Sequence, residues 1–170
     1  DVVYLAGGQS GTTLDTATNR LWTLDLSRHE QPDEFRWVDR GEAPWPSRAY
    51  QIVTTQQRDQ EERLYVISGR RQGAADIEFL TDVWEFTPST SSWHRRVDIP
   101  RSFAAGTGIG WGSDRILVLS GDDGRNFHRT DELRDQHPGF PRDLYVYHPQ
   151  ADRWQSLGES PRNQVTTTAV

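Results

Sequence analysis

Pro46-Ser47-Arg48, Pro100-Arg101-Ser102 and Pro161-Arg162-Asn163 each stand just before an apolar, strand-like run, and the return of this signal decides how the rest of the chain is read. After the first two, the same order of elements follows: a run of small residues, a run closing in Gly, a loop, an aromatic run and a Trp segment. One copy reads Ala49 to Thr55, Leu64 to Gly69, Asp82 to Thr87 and Trp93 to Val97. The next reads Ala104 to Trp111, Ile116 to Gly121, Asp143 to His148 and Trp154 to Leu157. Before them come Val2 to Gly8, Leu21 to Leu26 and Phe35 to Asp39, and after them Gln164 to Val170. The closing residues Gly8, Gly69 and Gly121 are 61 and 52 positions apart. That spacing suits a four-stranded propeller blade with long loops, since kelch repeats run near ~50 residues.

The runs are rich in β-branched and aromatic residues and bounded by turn formers, as in Leu64-Tyr65-Val66-Ile67 and Asp143-Leu144-Tyr145-Val146-Tyr147. Pro, Gly, Ser, Thr and Asp recur too often for a helical apolar stripe to persist. The predicted fold class is all-β: a kelch-type β-propeller, with about three four-stranded blades present. Residues 1–45 supply the last three strands of one blade, 46–99 and 100–160 a full blade each, and 161–170 the first strand of another. Propellers close with about 4 to 8 blades, so the chain is expected to be part of a larger ring, with the rest of the propeller in a longer parent chain.

Composition narrows the functions. A net charge of -6 argues against a nucleic-acid surface. No apolar run is long enough for a membrane span. The absence of Cys removes disulfides and thiolate metal sites. All 19 basic residues are Arg, whose forked donors suit carboxylates. His29, His94, His128, His137 and His148 are scattered without metal-ligand spacing, so no metal is expected. Trp22, Trp37, Trp84, Trp93 and Trp154 recur at strand positions and are expected in the core; Trp45, between two prolines, could instead stack on a sugar.

In an antiparallel blade, the loop leading into the first strand and the loop between the second and third lie on one face. That face gathers Arg48, Arg101, Arg162 and Asn163 from the lead-in loops, and Arg70, Arg71, Asp122 and Asp123 after the second strands. These eight residues form the candidate binding set for a small anion held by charge-assisted hydrogen bonds. Arg48, Arg101 and Arg162 recur at similar places and could equally brace neighbouring blades, whereas Arg70 and Arg71 do not recur.

The stretch from Asp135 to Val170, DQHPGFPRDLYVYHPQADRWQSLGESPRNQVTTTAV, resembles the cyclically permuted mutarotase group of kelch proteins, relatives of N-acetylneuraminate epimerase (sialic acid mutarotase). LYVISGRR at Leu64 to Arg71, Asp82-Val83-Trp84-Glu85 and ILVLSGDDG at Ile116 to Gly124 extend the likeness over nearly the whole chain. Its most specific parts are His137-Pro138-Gly139-Phe140-Pro141 and the run from Glu159 to Thr168. Many kelch strands end in Gly-Gly; here Gly69-Arg70 and Gly121-Asp122 stand instead.

The resemblance implies a six-bladed propeller that interconverts anomers of N-acetylneuraminate, in the periplasm or secreted, with an anionic sugar as its small-molecule partner. It also implies a Glu proton acceptor with an Arg near it, in a loop beyond Val170, so the catalytic residues are expected outside this chain. Mutarotation needs a base at the anomeric hydroxyl and an acid at the ring oxygen, and no cofactor. The alternative is a noncatalytic kelch module binding glycan or protein through the same face. A copper radical oxidase is disfavoured by the missing Cys and unclustered His.

Overall fold

The computed structural model describes residues 1–166, so that 167–170 of the expected last strand lie outside the described residues. The first sheet runs β1 (Val2–Ala6), β2 (Arg20–Asp25) and β3 (Val38–Glu42). The second begins with β4 (Ile52–Arg58) and β5 (Glu61–Ile67). A small hairpin of β6 (Arg70–Gln72) and β7 (Ile77–Phe79) then intervenes before β8 (Val83–Thr87) and β9 (Ser92–Arg96) complete that sheet. The third contains β10 (Thr107–Trp111), β11 (Arg115–Leu119), β12 (Asp143–His148) and β13 (Arg153–Glu159). Between β11 and β12 sits one α-helical turn, α1 (Thr130–Leu133), among 3-10 turns. The fold is all-β, and each sheet is an antiparallel meander.

The repetition seen in the sequence holds at the level of single hydrogen bonds. Ala43, Ile99 and Ser160 donate from the backbone to the carbonyls of Asn19, Thr81 and Arg142, at 2.8, 2.9 and 2.7 Å. β5 and β11 run out into the left-handed pairs Ser68-Gly69 and Ser120-Gly121, where β1 runs into Gly7-Gly8. The doublet that closes the strand is therefore Ser-Gly, one residue earlier than the Gly-Arg and Gly-Asp read from the sequence. Ser tolerates this conformation less well than Gly, and Ser68 is held by its surroundings: its hydroxyl donates to Leu80 O (2.9 Å) and accepts from Phe103 N–H (2.7 Å).

Two strand starts differ from expectation for a related reason. Tyr50 (φ 61°) and Ala105 (φ 56°) are left-handed, so the backbone turns before β4 and β10, which begin three residues after the expected Ala49 and Ala104. Ala49 and Ala104 make only isolated bridges, to Arg70 and Asp122. β3 begins at Val38 rather than Phe35. The β4–β5 turn is Asp59-Gln60, both residues at positive φ, which is the backbone a two-residue hairpin with right-handed twist demands.

The second sheet lies between the others and fills a core on each face. Alternate residues of β5 divide between them. Leu64 and Val66 face the first sheet with Ala6, Leu21, Trp45 and Phe86, while Tyr65 and Ile67 face the third with Phe103, Ile116, Val118 and Tyr147. Burying each large side chain contributes about 1.5–3 kcal/mol. Trp45 is only 1% exposed and meets the Trp93 ring edge-on at 5.9 Å, so it is a core residue and not a sugar platform. Trp37, expected in the core, is 47% exposed.

A charged cluster completes the second core. Glu85, 1% exposed, accepts from Arg96 (2.7 Å), Arg58 (3.0 Å) and the Tyr65 hydroxyl (2.8 Å). Burial by itself would push the Glu85 carboxyl up; the donors from Arg96, Tyr65 and Arg58 outweigh it and hold it below the usual range. Among the described residues no helix is long and apolar enough to cross a membrane.

Candidate anion-binding cleft

The structure divides the eight sequence candidates by what each side chain already holds. Arg48 is wholly buried, and its guanidinium is bidentate to Asp82 at 2.5 and 2.6 Å while also donating to Ser68 O at 3.0 Å. Its backbone ties the first sheet to the second, through Gly8 N–H to Arg48 O (2.9 Å) and Arg48 N–H to Thr18 O (3.3 Å). Arg101 reaches the equivalent partners one sheet on, Asp143 (2.9 Å) and Ser120 O (3.3 Å), with its guanidinium 3.5 Å from the Phe103 ring centre. Both arginines are committed to the fold. Burial favours a neutral Asp82, yet the hydrogen bonds and charge of Arg48 prevail and hold its carboxyl below the usual range.

Arg70 is different. Among the described residues its guanidinium has no hydrogen bond and no carboxylate within ion-pair distance, and its Nε is buried without a partner. Three aromatic rings surround it instead: Tyr50 at 4.1 Å, Phe127 at 5.0 Å and Phe79 at 5.9 Å from ring centre to guanidinium carbon. Phe79 and Phe127 pack edge to face at 5.3 Å and join the β6–β7 hairpin to the segment carrying α1. The His128 imidazole reinforces that junction at 3.0 Å from the Asp76 carboxylate.

Arg70 and Asp122 line one cleft of about 250 Å3 with Tyr50, Ala105, Phe140 and Thr166. The repeat explains their convergence. Each follows the closing Gly of the second strand in its sheet, and each pairs with the Ala that leads into the first strand, Arg70 with Ala49 and Asp122 with Ala104. Tyr50, Ala105 and Thr166 likewise hold one repeated place, all at positive φ. Ala105 N–H donates to Tyr50 O (2.8 Å) and Thr166 N–H to Ala105 O (2.7 Å), so a chain of backbone bonds crosses from sheet to sheet along the cleft floor.

The remaining candidates lie around this cleft but outside it. Arg71 pairs with Glu78 at 2.6 Å on the exposed side of the hairpin. Asp123 faces a neighbouring hollow with Arg125 and Arg142, and its carboxylate is 3.1 Å from the Arg125 guanidinium. Asn163 donates to Pro138 O at 2.9 Å and anchors the His137–Pro141 segment, while Arg162 is exposed. Tyr50, Phe79, Phe127 and Phe140 were not legible as site residues. Tyr50 directly follows the Pro-Ser-Arg-Ala signal, but nothing in a single copy marks it as the left-handed residue under a cation.

No family model and no curated protein matches the sequence. The solved structure of YjhT matches over 95% of this chain with a TM-score of 0.68 and 20% sequence identity. The likeness is one of fold. It covers 49% of the YjhT chain, so this chain spans about half the length of the structure it matches.

Proposed function

We propose that this chain is about three blades of a six-bladed kelch-type propeller, and that the whole protein is a sialic acid mutarotase acting in the periplasm or outside the cell. The fold likeness to YjhT supports the propeller part of the reading, and the resemblance of Asp135 to Val170 to the cyclically permuted mutarotase group supports the activity. The observation that carries it is the Arg70 guanidinium, unpaired among the described residues, in a cleft on the face where the repeated loops converge. The N-acetylneuraminate carboxylate stays ionised throughout ring opening and needs a fixed cation, which Arg70 supplies. The first sheet takes its place as the last three strands of one blade, and the proton-accepting Glu with its Arg belongs to a loop outside this chain.

The test follows anomeric proton signals by NMR after one anomer of N-acetylneuraminate is released. The full-length protein should speed equilibration, and Arg70→Ala should weaken binding by roughly ten- to a hundredfold, the loss of about 1.5–3 kcal/mol from a charge-assisted contact. Arg71→Ala, already paired with Glu78, should change affinity less than twofold. An unaccelerated rate with intact full-length protein would remove the mutarotase reading. It would favour a noncatalytic kelch module binding glycan or protein through the same face.

A further inference from the structure

The Arg70 cleft is narrower in its chemistry than a general cation site. Rings at 4.1, 5.0 and 5.9 Å occupy the space around the guanidinium, and the buried Nε is closed off, which leaves the terminal nitrogens as the donors a ligand can reach. Two parallel N–H groups in one plane match the two oxygens of a carboxylate. Around that edge the walls are apolar, from Ala104, Phe140 and Val165.

Asp122 adds the second constraint. The repeat sets it at Arg70's own place one sheet over, in the same cleft, and no cation among the described residues pairs with it. One carboxylate oxygen takes the Gly124 N–H at 2.9 Å. A fixed negative charge beside a single cation leaves little net attraction for an anion as such, and a dianion doubles the Arg70 attraction and the Asp122 repulsion alike, so its extra charge gains it little here. Like charges brought together at a binding surface cost enough to reject the wrong ligand. A ligand bearing a hydroxyl or ammonium beside its carboxylate turns the same group to advantage by donating to it.

We propose that Asp122 makes this cleft selective for a singly charged carboxylate with an adjacent hydrogen-bond donor, in chemical class a 2-hydroxy acid, against phosphate and sulfate dianions. The inference rests on the reading of this cleft as the ligand site. It concerns what the cleft accepts, whatever is done to it afterwards.

Calorimetry on the full chain with three probes tests it: N-acetylneuraminate, its methyl ester and inorganic phosphate. The free acid should bind at least about tenfold more tightly than either of the others. Asp122→Asn should tighten phosphate by about threefold or more and narrow the gap, and Arg70→Lys, which keeps the charge but not the fork, should weaken the acid by about tenfold. Both variants should melt like the wild type. An ester that binds as well as the acid, or phosphate affinity unmoved by Asp122→Asn, overturns the proposal. Selective acid binding without faster anomer exchange leaves the proposal standing and removes the mutarotase. Faster exchange with affinity indifferent to both substitutions does the reverse.

Discussion

Arg48 holds Asp82 inside the protein, and the consequence of losing it follows from desolvation. Arg48→Met keeps the side-chain volume but strands a carboxylate that is 13% exposed, so unfolding should become easier by about 3–5 kcal/mol in urea titrations. Adding Asp82→Leu should recover much of that loss, because the stranded charge is then gone. Asp82 and Glu85 both have folded-state pKa values below the ordinary carboxylate value. Each therefore contributes stability that is fully present above an unfolded pKa of about 4 and is lost as pH falls through the lower folded value. Denaturation midpoints followed from pH 6 downward should hold level and then drop below about pH 4; a drop already complete at pH 5 would contradict the assignment. At this scale the sequence was half legible. The Pro and Arg signal marked two braces, but the Arg48 and Arg101 side chains each tie segments of one sheet rather than neighbouring blades, and Arg162 is exposed. Arg48 and Arg101 also leave the backbone at different points, Arg48 immediately before its bridging Ala49 and Arg101 three residues before Ala104. They converge on equivalent acceptors only in three dimensions.

The strands themselves were legible because alternation and turn formers are local signals. β8, β11, β12 and β13 lie where the apolar runs put them, within a residue or two at each end. What was missed depends on contacts between distant residues: the β6–β7 hairpin reads as a loop, and its Phe79 gains meaning only against Phe127 from another sheet's connection. The left-handed Tyr50 and Ala105 were equally hidden, since neither residue type announces positive φ. The β4–β5 hairpin gives a direct check at this scale. Gln60, at φ 62° and exposed, lies where Gly is favoured, so Gln60→Gly should stabilise by up to about 1 kcal/mol and raise the thermal midpoint. Asp59 should be left alone, because its carboxylate accepts from Gln150 at 3.1 Å.

Across the whole molecule, the sheets draw together most closely at β4 and β10. A Cβ on Gly108 would collide with Ile52 Cγ2, and one on Gly110 would lie 2.9 Å from Thr55 O. Gly108→Ala should therefore cost about 1–3 kcal/mol by overpacking, measured by denaturant unfolding, whereas Gly158→Ala would meet no atom within 4 Å and pays only for its positive φ. The first sheet has no neighbour on its far face among the described residues. Val3 pairs with Leu24 and Leu5 with Trp22 on that face, and Leu5 is 51% exposed. Among the described residues β1 also has a free edge there, pairing only with β2. Such an edge with apolar side chains invites association with other chains, so the isolated chain should self-associate in light scattering, and Leu5→Lys should reduce it. The backbone chain from Thr166 through Ala105 to Tyr50 has a consequence of a different kind. Short of a proline, which lacks the N–H, no side-chain substitution removes it, and the Ala105 amide proton stays sealed for as long as the second and third sheets remain docked. Its rate of exchange with deuterated solvent is thus a built-in gauge of how often the two sheets part, separate from the fraying of any single strand.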